Sequence, residues 1–496
     1  MIHDLKPYPA YTDSGVAWLG ELPEHWEVTR LKDAAVVQTG LTLGKSYQGE
    51  ATESRPYLRV ANVQHGRLDL SEVKCLDVPP REAAGSTLRA GDVLMTEGGD
   101  IDKLGRGCVW RGEIPGCLHQ NHVFAVRCRP RSLVPQFLAL LMVSRHGRAY
   151  FELTAKQTTN LASTNSTTLR AFPVLLPPLA EQAAIVHFLG HMDRRIRRYI
   201  RSKQRLIALL HEQRQAIIHR AVTRGLDPNV RLKPSGVEWL GDVPEHWEVV
   251  PLRRVTVARC DGPFGSSLKS SHYTEQGIRV VRLQNIGHGE FRNSDAVFVS
   301  SAHYASLGDH SVEAGDVLIA GLGDERHPAG RACIAPTSIT PAMVKADCFR
   351  FRLDPGRVNS EFVALHLTAT AVAASAILST GATRQRTNLQ STAARAVCIP
   401  PLHEQDPIVA SIYNDMALLN VAVSGAQSEI SLLREYRTRL ISDVVTGKLD
   451  VREAAARLPD EAQDPEPLDD GDVLAADDGG STEAAYPDAT LEGAEA

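Results

Sequence analysis

Four groups of residues have the types that bond-making chemistry uses. Gln38 to Ser46 reads QTGLTLGKS, but Gly40 and Gly44 stand four apart where G-x-x-x-x-G-K-[ST] needs five, so a phosphate cradle is one amide short. Cys117, His119, His122 and Cys128 are metal-ligand types, yet they lie across an apparent strand at no usual zinc spacing and read more simply as a structural cluster. Glu24-His25 and Glu245-His246 suggest acid-base dyads. Each pair sits between two tryptophans, Trp18 and Trp26 or Trp239 and Trp247, which places it in a packed turn capping a globule. Asp100 with Asp102, and Asp324 with Glu325, lack a following x-Lys nuclease pattern and read as solvated loop acids. Neither an N-P-P-[YF] methylation tetrapeptide nor a G-x-S-x-G elbow is present. The sequence therefore predicts no catalytic and no metal site, and the elements around these residues must supply another function.

Charge points to what that function acts on. The chain has 496 residues, with 54 Lys and Arg against 59 Asp and Glu. From Pro459 onward there are 13 acidic residues and no basic one, which leaves 54 basic against 46 acidic over 1–458, a net +8. This composition predicts a basic folded body and, in a tail rich in Asp, Ala, Gly and Pro, a disordered acidic segment at 457–496. The eight cysteines are scattered without a C-x-x-C pair, which fits a reducing compartment. The opening MIHDLKPYPAY lacks an apolar targeting core, so a cytoplasmic protein with no membrane contact is expected.

The sequence is written twice. SGVAWLGELPEHWEVTRL from Ser14 returns as SGVEWLGDVPEHWEVVPL from Ser235, and YLRVANVQHG from Tyr57 as VVRLQNIGHG from Val280. AGDVL at Ala90 returns at Ala314, Gly105-Arg106 as Gly330-Arg331, and LPPLAEQAAIV from Leu176 as IPPLHEQDPIV from Ile399. Each copy begins with short β-rich runs separated by Gly, Pro, Ser and Asn and mixed with helix-like stretches, which predicts an α+β globule.

Each copy ends in a heptad. Behind Pro178 the apolar positions Ile185, Leu189, Met192, Ile196, Tyr199, Leu206, Leu210 and Ile217 follow a 4-3 spacing with polar interruptions. Behind Pro401 the series Ile412, Met416, Leu419, Val423, Ala426, Ile430, Leu433, Leu440 and Val444 does the same. Such a seam must be covered by another helix. The obvious cover for one is the other, in rods about 60 Å long, although packing of each on its own globule remains the alternative. The predicted boundaries are a first globule at 1–175, a helical spacer at 176–230, a second globule at 231–398 and a second spacer at 399–456.

This order of variable α+β domain, PPLxEQxxIV-opened helix, second variable domain and second such helix resembles the specificity subunit of type I restriction-modification systems. The two copies of W-L-G-x-[LV]-P-E-H-W-E-V are similar to the opening motif of that family's target recognition domains, and the likeness covers residue 14 to about residue 456. The resemblance implies a non-catalytic reader of double-stranded DNA, each globule taking one half of a bipartite site. It also implies two long helices in an antiparallel coiled coil with a pseudo-two-fold internal repeat. Two modification subunits using S-adenosylmethionine and two restriction subunits using ATP and Mg2+ would be the partners, with no cofactor in this chain.

Direct readout needs forked donors and acceptors on loops, and anchoring needs groups that grip phosphates. The candidates in the first globule are Lys45, Ser46, Arg59, Asn62, Lys103, Arg106, Lys156, Gln157, Thr158 and Asn160. Those in the second are Ser266, Ser267, Lys269, Arg282, Asn285, Arg331, Arg384, Gln385, Arg386 and Asn388. The late loops AKQTTN and GATRQRTN lead this set, whereas the pairs Arg59/Arg282 and Asn62/Asn285, identical in both copies, also suit a shared frame. On the first helix Arg197, Arg198 and Arg201 are candidates for spacer phosphates or an acidic partner. The readings that compete with a DNA reader are a stand-alone nucleic-acid enzyme and a protein-only adaptor.

Overall fold

The computed structural model describes residues 5–64, 66–99, 104–105, 107–157, 162–324, 326–378 and 385–459, so the acidic tail from 460 lies outside the described residues. The chain forms two compact units, Met1–Lys203 with the stretch from Gln427, and Gln204–Ala426. Each unit thus holds one copy of the repeat together with a part of each long helix.

In the first unit a four-stranded antiparallel sheet runs in the order Gly107–Val109, Val93–Thr96, Val123–Cys128, Ala35–Thr39. All four residues of Val93–Thr96 are buried, as a central strand covered on both faces requires. The second unit repeats this sheet with Ala332–Ile334, Val317–Ala320, Cys348–Leu353 and Thr256–Cys260. Register is kept as well: Phe124 opposes Met95 in one copy, and Phe349 opposes Ile319 in the other.

The AGDVL repeat has a local cause. Asp92, buried, accepts two bonds from the Arg127 fork at 2.8 and 2.7 Å and one from the Arg89 amide at 2.8 Å. Asp316 repeats this with Arg352 at 2.9 and 3.0 Å and the Glu313 amide at 2.8 Å. A buried carboxylate is tolerable only when so paired, and the fork fixes turn against strand.

The long helices are Leu179–Arg224 and Leu402–Val445, the second running through Pro407. In the first unit Ile185, Phe188, Leu189 and Met192 share a core with Leu440, Ile441, Val444 and Val445. The start of one helix therefore lies on the end of the other, and they run antiparallel there. In the second unit Ala221 and Val222 join Ile408, Val409, Ile412 and Met416 in the same sense. The second seam keeps its predicted register, with Ile412, Met416, Ala426, Ile430, Leu440 and Val444 buried. The first does not: after Ile196 the buried position is Ile200, and Tyr199 is 54% exposed. Polar bridges occupy this stretch, Lys203 Nζ to Glu429 Oε2 at 2.7 Å and Arg437 Nε to Asp193 Oδ1 at 2.5 Å.

Candidate nucleic-acid interface

The two repeated motifs meet each other. In the first unit Glu181, from PPLAEQ, accepts from Tyr8 OH at 2.5 Å and Trp26 Nε1 at 3.0 Å, and His25 Nε2 lies 2.8 Å from its other oxygen. In the second, Glu404 accepts from Trp247 Nε1 at 3.2 Å and faces His246 Nε2 at 2.9 Å. The next residue completes each joint. Gln182 accepts the Val134 amide and donates to the Ser132 and Pro177 carbonyls, all at 2.8 Å. Gln405 accepts the Asn359 amide at 2.6 Å and donates to the Arg357 and Pro400 carbonyls. His25 and His246 thus face Glu181 and Glu404 in clamps that tie each globule to the start of its helix, and not the Glu24 and Glu245 beside them in sequence. Glu181 is 4% exposed, and burial and the Glu181 carboxylate drive the Tyr8 hydroxyl far above its ordinary pKa. Glu181→Ala would leave these buried donors unmet and is expected to cost the first unit about 3 kcal/mol. Glu404→Ala, in a partly open site, should cost about 1 kcal/mol. Denaturant melts of the two variants check the inequality.

The other reactive groups are also structural. Cys117 and His119 are buried, His119 Nδ1 lies 2.6 Å from the Val123 carbonyl, and burial pushes the Cys117 thiol up to about 12. His122 instead faces Glu97 at 2.5 Å. Among the described residues, no three His, Cys, Asp or Glu are grouped to hold a metal. Gly40 packs on the backbone at His119, where an added Cβ would stand 2.0 Å from the carbonyl oxygen, and Lys45 Nζ bridges to Glu82 at 3.0 Å. Asp324 accepts the amides of Arg326 and His327 at 2.8 and 2.7 Å, which shapes its own loop. Asp100, Asp102 and Glu325 lie outside the described residues.

Several DNA-contact candidates turn out to be interior. Asn62 is buried and donates to the Asp69 and Glu72 carbonyls at 2.8 and 2.9 Å, while its Oδ1 accepts the Arg59 amide. Asn285 does the same with Arg292 and Ser294, both at 3.0 Å, and with the Arg282 amide. Arg331 is 1% exposed and donates to the carbonyls of Ile286, Leu322, His327, Pro328 and Leu283. These three hold loops together and have no free edge to offer a base. Arg59 leans on Glu72 at 3.4 Å and Arg282 on Asp295. Asn388 caps the helix Leu389–Ala394, its side chain accepting the Ser391 amide at 2.8 Å. Its counterpart is Asn165, not Asn160: Asn165 caps Ser166–Ala171 through the Thr168 amide at 2.8 Å. Arg197 pairs with Asp193 at 2.7 Å within its own helix, whereas Arg198 is exposed and Arg201 half-buried.

What remains sits on two stretches in each unit, a late strand pair and the loop after the outer sheet strand. In the first unit, Lys156–Gln157 pairs with Ala162–Ser163, which in turn pairs with Gly98–Gly99 just past the central strand. In the second, Gln385–Arg386 pairs with Leu322–Gly323 at the matching place. Gln385 Oε1 accepts the Ala329 amide at 3.1 Å, and Arg386 reaches out to Asp347 at 3.1 Å. Lys156 and Arg386 are exposed on these late strands, with the Gln157 backbone beside Lys156, while Ser46, Ser267 and Lys269 are exposed in the loops after Ala35–Thr39 and Thr256–Cys260, the second of which also holds the Ser266 backbone. Lys103, Arg106, Thr158, Asn160 and Arg384 lie outside the described residues. Ser163, the counterpart of Arg386, was not singled out in sequence; counting back from the two Thr-Asn caps at Asn165 and Asn388 finds it.

Residues 23–206 match the model of the type I restriction modification DNA specificity domain. The chain is 25% identical over 436 residues to a putative type I restriction enzyme MjaX specificity subunit of Methanocaldococcus jannaschii, covering 88% of this chain and 96% of that one. It is 22% identical over 299 residues to the MjaVIII specificity subunit of the same organism, covering 60% of this chain and 64% of that one. A solved chain described under complex assembly and conformational transition of the type I R-M system shares the fold, with a TM-score of 0.64 at 16% identity over 86% of this chain and 99% of that one. With a duplicated α+β frame, clamped by the same Glu-Gln pair at the start of each long helix, this chain is similar over most of its length to type I restriction-modification specificity subunits.

Proposed function

We propose that the chain reads a bipartite duplex-DNA target, one half through the loops of each unit, and itself makes and breaks no bond. The observation that carries this reading is a constant frame with varied loops: sheet order, buried Asp-Arg pair and Glu-Gln clamp repeat, while Ser163 stands in one copy where Arg386 stands in the other. Two readers on one scaffold can then take different bases. The long helices would set the unread spacer, since a duplex presents the same face every ~10 bp. They would also dock two modification subunits using S-adenosylmethionine, with two restriction subunits supplying ATP- and Mg2+-dependent cleavage, in the cytoplasm and away from membranes. Exposed Leu206, Leu209, Leu418, Val421 and Leu432 on these helices suit such docking.

Methylome sequencing of a host with and without this gene tests the proposal. A two-part methyl-adenine motif that vanishes with the gene supports it, and unchanged methylation overturns it. On the mapped duplex, Arg386→Ala should cost about 1–3 kcal/mol and relax only one half of the motif. Arg198→Ala with Arg201→Ala should weaken all sequences alike and flatten the salt dependence by ~0.9 per lost phosphate contact.

A further inference from the structure

The loop that follows the outer sheet strand has the same grammar in both units. After Ala35–Thr39 comes Gly40, whose added Cβ would stand 2.0 Å from the His119 carbonyl oxygen; after Thr256–Cys260 come Asp261 and then Gly262, whose Cβ would stand 2.1 Å from the Lys345 carbonyl carbon. Each glycine therefore lets the stem press directly on another backbone segment, and no side chain fits there. Next in each comes a buried apolar residue, Leu41 or Pro263. The chain then turns outward, through the exposed Thr42 in the first unit and directly in the second, to an apolar side chain at the tip, Leu43 at 38% and Phe264 at 52% exposure. A left-handed glycine follows each tip, Gly44 at φ 85° and Gly265 at φ 60°. Beyond it stand the polar groups Lys45, which bridges to Glu82, and Ser46, or Ser267 and Lys269.

A single exposed apolar residue is ordinary on a protein surface. Two in corresponding loops, each on a pinned stem, each followed by a left-handed glycine and each beside groups suited to phosphates, point to a shared use. Folding gains nothing from a phenyl ring left half in water. The stem contacts give it a fixed direction instead, which is what an apolar wedge at a base step needs.

We infer that Leu43 and Phe264 are the apolar tips that press into the base stack of the two half-sites, with the neighbouring Lys and Ser holding the flanking phosphates. The inference rests on the DNA-reading proposal above. The tips differ in size, so the second half-site, taken by Phe264, is unstacked more than the first. This also adds a source of sequence preference without hydrogen bonds, because pyrimidine-purine steps open most easily.

The test uses the full chain with its modification subunits and the mapped duplex, carrying 2-aminopurine at successive positions in either half. Wild-type binding is expected to raise the fluorescence at one step in each half, more in the second. Phe264→Ala should abolish the rise in that half alone and weaken binding about tenfold, with an unchanged salt slope because no phosphate contact is lost. Phe264→Trp should restore it, and Leu43→Phe should increase the rise in the first half. Wild-type protein that fails to bind the duplex would overturn both the DNA reading and this one. Tight binding with no fluorescence rise, or a Phe264→Ala variant that matches wild type, overturns the wedge and leaves the reader standing.

Discussion

Arg331→Ala is expected to destabilise the second unit by about 4 kcal/mol and to leave the first unit's melting unchanged. The guanidinium is inside the protein and donates to backbone carbonyls: Nε to Ile286 at 2.8 Å, one terminal nitrogen to Leu322, His327 and Pro328 at 3.0 to 3.3 Å, the other to Leu283 at 3.0 Å. It ties the Leu283–Asn285 turn to the loop at 322–328. Alanine would remove every one of these donors and leave five carbonyl oxygens without them. Arg331→Lys is the discriminating variant. Lysine keeps the charge but not the planar fork, so a phosphate-binding role would survive it and this carbonyl net would not. Denaturant unfolding of both variants, followed by a probe in each unit, should show the second transition moving in both. A wild-type melt for Arg331→Ala combined with weaker DNA binding would return Arg331 to the interface.

Arg331 also shows where sequence reading is blind. A Gly-Arg pair repeated on a basic protein fits a phosphate anchor as well as it fits a buried strut, and residue type cannot separate the two. The internal repeat can. Asn62 and Asn285 are identical because both close the same turn, and Asp92 and Asp316 because both receive an arginine fork. Identity across the copies marks frame, and difference marks surface, as at Ser163 against Arg386. The fold class and both helices were legible because they rest on long-range periodicity and on two motifs present twice. The contact between those motifs, Glu181 with Trp26 and Glu404 with Trp247, was not, since it joins residues more than 150 positions apart that share no local pattern. The heptad misplaced Tyr199 for a related reason. Near Asp193 and Lys203 the helix contact is held by ions, and apolar spacing no longer dictates which side faces in.

A second large effect should appear on acidification. His366 is fully buried; its Nε2 accepts the Cys398 amide at 3.3 Å and lies 2.9 Å from Cys398 Sγ. Burial first, then the positive Arg395 and His219 nearby, push its pKa down to about 3. The native ring is therefore neutral, and between about 3 and 6.5 the unfolded chain binds a proton that the native unit does not. Stability from this group is complete above about pH 6.5 and falls as pH drops, by about 1.4 kcal/mol per pH unit and roughly 4–5 kcal/mol in all. Asp261 works in the opposite direction. Burial raises its carboxyl to about 6, so the native unit holds a proton there that the unfolded chain has released, and stability from Asp261 is lost as pH rises toward 6. The raw pH profile of the wild type is therefore shallower than His366 alone would make it. The difference between wild type and His366→Asn cancels the Asp261 contribution and isolates the histidine. Measured by urea unfolding from pH 7.5 to 4.5, that difference should shrink steadily below pH 6.5 and reverse once the cost of keeping the ring neutral exceeds the packing lost with it. A difference that stays flat across this range would mean that the imidazole is protonated with equal ease in the folded and unfolded chain, against the closed environment that Arg395, Cys398 and His219 make around it.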